Sequence, residues 1–241
     1  MKIRTAFLAI GLIVSMQAKA HRLVAENGTE QVRLVELYSS ESCSSCPPAD
    51  SWMSSLQQDP GLWRVFVPVV FHVDYWNDLG WKDGLSSGSM TKRQQDLARN
   101  WAKPSIYTPA VMIDGKEWRN WPNNRIPPSG KSSPLQLAVY DEGNDNFSVH
   151  IENPGTEKLL VRIARLGMGL GADITAGENA GRRLIHNFAV LTWDAKPVVA
   201  SSANLAFHLD AGGKAPGKHA IAVWIEQAGN PVPLQAVGGY L

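Results

Sequence analysis

Buried strands are the first elements that the order of apolar and polar residues predicts. Residues 31–38 (QVRLVELY) and 64–73 (RVFVPVVFHV) are apolar on both faces of an extended chain. Short runs of this kind are typical of strands that are covered on both sides of a sheet. Between the two runs, Pro47 and Asp50 mark the start of a helix, and residues 59–61 (DPG) end it. The pattern therefore predicts a strand, a helix and a second strand.

A second helix and a hairpin are predicted next. Residues 90–101 (MTKRQQDLARNW) have helical composition, and residues 110–114 and 117–119 flank a Gly-Lys turn. Residues 119–134 then contain four prolines together with Asn, Ser and Gly, a composition typical of a linker. The predicted order before this linker is β, α, β, α, β, β, which is an α/β pattern.

The chain beyond the linker has a different character. Helix signals are absent there, and short strand-like runs alternate with Gly, Pro and Asn turns. Several short strands at such intervals favour a β-sandwich. We therefore predict an α/β domain over residues 21–121, a linker over 122–134 and an all-β, sandwich-like domain over 135–241.

The first twenty residues have the layout of a secretory signal peptide. Lys2 and Arg4 precede an apolar run of 11 residues (6–16), and Ala18 and Ala20 are small residues at the positions that a signal peptidase reads. The run is shorter than the roughly 20 residues that a membrane-spanning helix needs. We expect cleavage after Ala20, a periplasmic or secreted location and no membrane span after cleavage.

The net charge of the chain argues against some classes of binding partner. The chain has 23 Lys and Arg against 22 Asp and Glu, and loss of Lys2, Arg4 and Lys19 with the signal leaves 20 against 22. A near-neutral chain has no basic surface of the kind that binds nucleic acid or anionic membranes. No nucleic-acid partner is therefore expected.

The two cysteines are the strongest chemical signal in the sequence. Cys43 and Cys46 form one CxxC, directly after the first predicted strand and at the start of the helix, which is the arrangement of a thioredoxin-like redox motif. This spacing lets a disulfide close within one turn, and the helix's positive end stabilises a thiolate at the first sulfur. Thioredoxin-like domains also carry a cis-proline before a later strand, and Thr108-Pro109 stands at that place. The prediction is a thioredoxin-like α/β N-terminal domain in which Cys43, Cys46 and Pro109 are catalytic, the Thr108–Pro109 bond is cis, and Thr108 binds substrate.

Several motifs resemble a family of exported bacterial proteins that carries only a domain-of-unknown-function label and is assigned to the thioredoxin-like superfamily. The motifs are CSSCPPAD, HVDYW, GWKD, KRQ, YTPAVMIDG and, in the second half, GENAGRRLIHN over residues 177–187. The resemblance covers nearly all of the mature chain. It implies a thioredoxin-like fold but no settled activity. In the last motif, Glu178, Asn179 and Asn187 are interpreted as turn residues.

Four residues near the second strand are further candidates. His72 and Asp74 lie two apart at its end, so an extended chain would put them on one face, and the carboxyl ends of parallel strands meet in one crevice. They are candidates for acid/base catalysis beside the cysteines. The alternative is a core histidine with satisfied hydrogen bonds and an aspartate that caps the loop. Tyr75 and Trp76 are candidates for substrate binding or for packing of a lid.

The function predicted from these features is that of an exported thiol–disulfide oxidoreductase or redox-linked protein. Cys43 attacks, Cys46 resolves, the partners are protein thiols or disulfides in the periplasm, and no cofactor or metal is expected. Whether the protein is an enzyme stays open. Two alternative functions also stay open. One is a copper- or other metal-handling protein, since thiolate and imidazole suit such ions. The other is a non-catalytic envelope binding protein with a structural disulfide.

Overall fold

The computed structural model describes residues 21–101, 104–123, 125–198, 204–211 and 217–241, so the predicted signal at residues 1–20 lies outside the described residues. The α-helices in these ranges are α1 (Pro47–Ser55) and α2 (Gly88–Ala98), and Leu56–Gln58 and Trp121–Asn123 form short 3-10 turns. The strands are β1 (Arg22–Glu26), β2 (Arg33–Ser39), β3 (Phe66–His72), β4 (Ala110–Ile113), β5 (Lys116–Glu117), β6 (Gln136–Gly143), β7 (Asn146–Glu152), β8 (Leu159–Gly167), β9 (Leu170–Asp173), β10 (Arg183–His186), β11 (Ala189–Val198), β12 (Asn204–His208), β13 (His219–Gln227) and β14 (Asn230–Tyr240). No helix in the described ranges is long and apolar enough to cross a membrane.

The first half of the chain has the order of elements that the sequence predicts. β2, α1, β3, α2, β4 and β5 follow one another. β2 pairs with β3 in parallel, with Arg33 opposite Phe66 and Ser39 opposite His72, and it pairs with β4 in the antiparallel sense. Every residue of β3 is buried, in keeping with its apolar run. The carboxyl ends of β2 and β3 therefore lie side by side, at the edge where the CxxC begins.

The predicted fold class is nevertheless wrong, because this α/β unit is part of a larger sheet. β2 to β5 belong to an eight-stranded sheet in the order β14-β13-β8-β11-β3-β2-β4-β5. The two halves meet where Val70 of β3 lies opposite Ala189 of β11 and the Val70 N–H donates to the Phe188 carbonyl at 2.8 Å. The described molecule is mostly β-sheet with two helices, and it is not a thioredoxin-like α/β domain followed by a separate β-sandwich. The domain boundaries at 21–121, 122–134 and 135–241 stay a prediction.

Two hydrophobic cores share the strands of this sheet. Along β13, Ala220, Ala222 and Trp224 face the first core, under α1 and α2. The alternate residues Ile221 and Val223 face the second core, against the four-stranded sheet β1-β6-β7-β12. Because successive side chains of a strand point to opposite faces, β13 contributes to both cores at once. This explains why it is apolar along nearly its whole length.

A buried ion-pair network also joins the two halves. Arg93 of α2, which is 3% exposed, contacts Glu36 of β2 through Nε at 2.5 Å and Glu226 of β13 through Nη1 at 2.6 Å. Arg162 of β8 reaches the second oxygen of Glu226 at 2.8 Å. Burial raises the pKa of Glu36, and the charge of Arg93 opposes that shift. The network fixes α2 on the sheet that supports the CxxC.

Some strands escaped prediction because turn residues lie inside them. β14 contains Pro231, Pro233, Gly238 and Gly239, and it is tolerated as an edge strand. Gly238 is needed, since a Cβ there would lie 2.7 Å from the Ile221 carbonyl. β10 ends at His186 and β11 begins at Ala189, and Phe188 between them has a φ of +58°.

Candidate functional site

The CxxC occupies the loop between β2 and α1. Cys43 and Cys46 are joined by a disulfide, and neither residue has exposed surface, whereas Ser44 and Ser45 are exposed. Cys46 is the N-cap of α1 and has helical backbone angles, so α1 begins directly at Pro47. The assignment of Cys43 as the attacking cysteine and Cys46 as the resolving one stays a prediction.

Five buried ionisable side chains surround this loop. Two flank the cysteines in sequence, one ends β3, one lies in the loop after β3, and one ends β10. They are Glu41, Asp50, His72, Asp83 and His186, each at most 8% exposed. The imidazole rings of His72 and His186 meet edge to face with centroids 4.8 Å apart. We refer to these five residues as the acid/base cluster.

His72 and Asp83 form an ion pair inside the cluster. His72 Nδ1 donates to Asp83 Oδ2 at 2.7 Å, and both side chains are fully buried. Burial alone lowers the pKa of His72, but the charge of Asp83 and its hydrogen bond more than offset this and raise the pKa to about 9. Burial alone would raise the pKa of Asp83, yet the charge of His72 holds it below its usual range. The same Asp83 oxygen accepts the backbone N–H of Glu41 at 2.9 Å, which links the pair to the CxxC loop.

Fewer hydrogen bonds inside the cluster are made by its other three members, Glu41, Asp50 and His186. Asp50 accepts from the Ser39 hydroxyl at 2.9 Å, and burial raises its pKa, partly opposed by the charge of His72. His186 Nε2 lies 3.2 Å from Glu41 Oε1 without the alignment of a hydrogen bond. Within the described residues, both ring nitrogens of His186 and Nε2 of His72 therefore lack a hydrogen-bond partner. Buried polar atoms without partners are uncommon and mark candidate functional sites.

Residues 174–182, between β9 and β10, cover the CxxC, and we call them the cover loop. Asn179 of this loop is fully buried, and its Nδ2 donates to the carbonyls of Glu41 at 2.8 Å and Cys43 at 3.0 Å. Glu178 Oε2 accepts the backbone N–H of Ser44 at 3.0 Å. The prediction that Glu178 and Asn179 serve only as turn residues misses these contacts, which cross more than 130 residues of sequence.

A second loop, which carries the GWKD motif, also contacts the CxxC loop. The Ser42 hydroxyl donates to the carbonyl of Trp81 at 2.6 Å, and Trp81 Nε1 donates to Glu41 Oε2 at 2.7 Å. The two loops touch each other, since a Cβ on Gly177 would lie 3.2 Å from the Trp81 Cβ. Asp83 of the same motif belongs to the acid/base cluster. Three motifs that are far apart in the sequence therefore meet at the disulfide.

The predicted residues around Pro109 form a second group. The Thr108–Pro109 bond is cis, as predicted, directly before β4. The Tyr75 hydroxyl donates to Gln94 Oε1 at 3.3 Å, and burial raises the pKa of Tyr75 to about 12. Tyr75 is 37% exposed, and Trp76 packs partly buried against the first core. The roles of Pro109, Thr108, Tyr75 and Trp76 in substrate binding stay predictions.

Asp74 lies apart from the partners of His72. Its Oδ1 accepts from the Thr91 hydroxyl at 2.6 Å, and its backbone N–H donates to the same hydroxyl at 3.1 Å, so it ties the loop to α2. β3 ends at His72, and the two-residue period of a strand does not extend to Asp74. The partner of His72 is Asp83, which sequence reasoning did not single out, although it stands in the quoted GWKD motif. His186 likewise stands in the quoted GENAGRRLIHN motif.

No group of three or more His, Cys, Asp or Glu in the described part of the chain is arranged to hold a metal ion. The alternative of a copper- or other metal-handling protein stays a prediction.

Two solved structures share the fold. One is a crystal structure of a protein from Agrobacterium tumefaciens, with a TM-score of 0.63 and 24% identity, covering 88% of this chain and 96% of that one. The other is HBP35 of Porphyromonas gingivalis, with a TM-score of 0.54 and 13% identity, covering 89% of this chain and 76% of that one. No curated protein matches the chain. At these identities the likeness concerns the fold alone.

A family model described as "Protein of unknown function (DUF1223)" matches residues 34–226. This stretch includes the CxxC, the acid/base cluster and the cover loop. The match supports the domain-of-unknown-function label that the motifs indicated, while the thioredoxin-like assignment is not confirmed. The chain belongs to the DUF1223 family of proteins of unknown function.

Proposed function

We propose that the protein, after export, exchanges disulfides with dithiol proteins through Cys43 and Cys46. The observation that carries this proposal is the buried acid/base cluster around the disulfide. Burying ionised groups costs several kcal/mol each, and a disulfide in so short a loop restrains the unfolded chain by only about 2 kcal/mol. A purely structural bridge gives no reason to bury three carboxyl groups and two imidazoles in and against the segments that hold the pair.

The exchange has a balanced sequence of steps. A thiolate of the partner attacks Cys43 Sγ, the Cys43–Cys46 bond breaks, and Cys46 leaves as a thiolate. The second thiolate of the partner then attacks the partner's own sulfur in the mixed disulfide and releases the Cys43 thiolate. The partner loses two electrons and forms a disulfide, the Cys43–Cys46 pair gains two electrons, and each cysteine takes up a proton. The reverse sequence reduces a partner disulfide.

The acid/base cluster supports this chemistry because its members differ in protonation. His72 carries a positive charge near neutral pH, as its pKa is about 9, and such a charge stabilises a nearby thiolate. Burial raises the pKa of Asp50, which moves its ionisation toward the pH range in which the thiolates form. Side chains with pKa values moved apart by their surroundings are typical of acid/base pairs.

One observation favours the second candidate, a structural disulfide in an envelope binding protein. Both cysteines have no exposed surface, and attack on a disulfide requires access for the incoming sulfur. Under that reading, thiols would leave the bond intact until the protein unfolds.

The test uses the oxidised protein and a peptide that carries two reduced cysteines. We expect stoichiometric oxidation of the peptide, with one equivalent of reduced Cys43–Cys46 formed under native conditions. Cys43→Ser is the negative control, because it cannot form the pair. Failure in both directions, with the native protein neither oxidising the peptide nor being reoxidised by its disulfide form, would favour the structural reading.

A further inference from the structure

The cover loop is bonded to the backbone of the CxxC loop itself. Asn179 supplies both hydrogens of its amide to the carbonyls of Glu41 and Cys43, and its own oxygen accepts from Arg182 at 3.0 Å. The loop closes on itself through hydrogen bonds between Ile174 and Arg182 and between Gly181 and Ile174. Asn179 therefore anchors the cover loop directly on the backbone of Cys43.

Glu178 differs from this anchor because it is exposed. Its carboxylate accepts the N–H of Ser44, the residue that follows Cys43. Hydrogen bonding to Ser44, through its side chain first and its backbone N–H second, lowers the pKa of Glu178. Ser44 lies just before the N-terminal end of α1, where the helix dipole favours a negative charge. The Glu178 carboxylate is therefore held at the backbone N–H of the residue next to Cys43.

We infer that the cover loop decides which molecules exchange with Cys43–Cys46, with Asn179 as the positioning residue that keeps it closed and Glu178 as the group that a partner displaces. This inference rests on the proposed function. The partner it fits is a polypeptide that carries an acidic side chain next to its reacting cysteine, because that carboxylate replaces Glu178 at the Ser44 N–H. Small neutral thiols lack this group and meet a closed loop.

The first test measures the rate at which dithiothreitol reduces the native disulfide. Asn179→Ala removes two hydrogen bonds to the CxxC loop, which corresponds to an increase of about 30-fold in the rate if the loop must open first. Asn187→Ala is the matched control. Asn187 is also buried and makes two hydrogen bonds, to Ser54 and Gly169, but none to the CxxC loop. We expect the control to react at the wild-type rate, and equal acceleration by both variants would overturn the inference.

The second test uses exposed Glu178, whose replacement leaves the core untouched. Two peptide thiols serve as probes, one with Glu and one with Gln beside the cysteine. Wild type should react several-fold faster with the Glu peptide. Glu178→Ala should react faster than wild type with both peptides while keeping the preference, and Glu178→Gln, which retains an acceptor, should stay close to wild type. Equal rates with the two peptides in every variant would overturn the partner chemistry.

The two proposals fail in different ways. If Asn179→Ala speeds reduction but the native pair never exchanges with dithiol proteins, the cover loop protects a structural bridge: the proposed function and the partner assignment are wrong, and the closing role of Asn179 stands. If the native pair exchanges readily and Asn179→Ala does not change its rate, only the role of the cover loop is wrong.

Discussion

The ion pair between His72 and Asp83 predicts a loss of stability on the alkaline side of neutrality. The perturbation is a rise in pH. The pKa of His72 is about 9 in the folded protein and about 6.5 in the unfolded chain. A folded pKa above the unfolded one contributes stability that is complete below pH 6.5 and is lost as the pH rises through about 9. Since both side chains are fully buried, solvent screening does not reduce this contribution.

The size of the effect follows from the pKa difference, which corresponds to roughly 3 kcal/mol. The assay is urea unfolding of the oxidised protein between pH 6 and pH 10 at constant ionic strength, followed by tryptophan fluorescence. The free energy of unfolding should fall by about 1.4 kcal/mol per pH unit in the middle of this range. His72→Gln should lose the decline, whereas His150→Gln, which removes a half-buried histidine 3.8 Å from Glu152, should keep it. A flat profile in wild type, or the same decline in His72→Gln, would refute the reasoning.

Three further predictions concern the disulfide and the fold. Cys46→Ser should accumulate disulfide-linked partners in the periplasm and Cys43→Ser should accumulate few, because the mixed disulfide forms on Cys43 and Cys46 resolves it. Gels run without reductant compare the two variants. Equal trapping by both would contradict the assigned order of the cysteines. Arg93→Leu should destabilise the protein by about 3–5 kcal/mol, because it leaves buried Glu36 without its cation and leaves Glu226 with Arg162 alone; urea unfolding measures this, and a change below about 1 kcal/mol would show that the network contributes little. Asp50→Asn should remove one ionisation, at a pH above the usual aspartate value, from the pH profile of dithiothreitol reduction; stopped-flow measurements of both proteins test this, and identical profiles would exclude Asp50 from proton transfer.

The local elements near the cysteines could be predicted because their signals are local. The apolar runs that became β2 and β3, the proline and acid at the start of α1, and the turn before β5 each lie within a few residues of one another. The position of the CxxC between β2 and α1 follows from the same patterns.

Long-range contacts could not be predicted this way. The pairing of Val70 with Ala189 and the contact between Asn179 and Cys43 join residues more than 100 positions apart. No period in a single sequence reports such pairs, so the pattern predicts separate α/β and all-β units where the structure has one continuous sheet. The sequence contains the motifs GWKD and GENAGRRLIHN, but nothing local in either motif indicates that Asp83 and His186 lie in the cluster next to the CxxC.

The reduction potential of the Cys43–Cys46 pair in the native protein tests the central claim most directly. It is measured by equilibrating the protein with dithiol–disulfide buffers of known potential and counting alkylated thiols by mass. If the pair exchanges with dithiol proteins, its potential lies between about −270 and −120 mV, the range of dedicated exchange proteins. A value below about −300 mV, typical of structural disulfides, would contradict the proposed function.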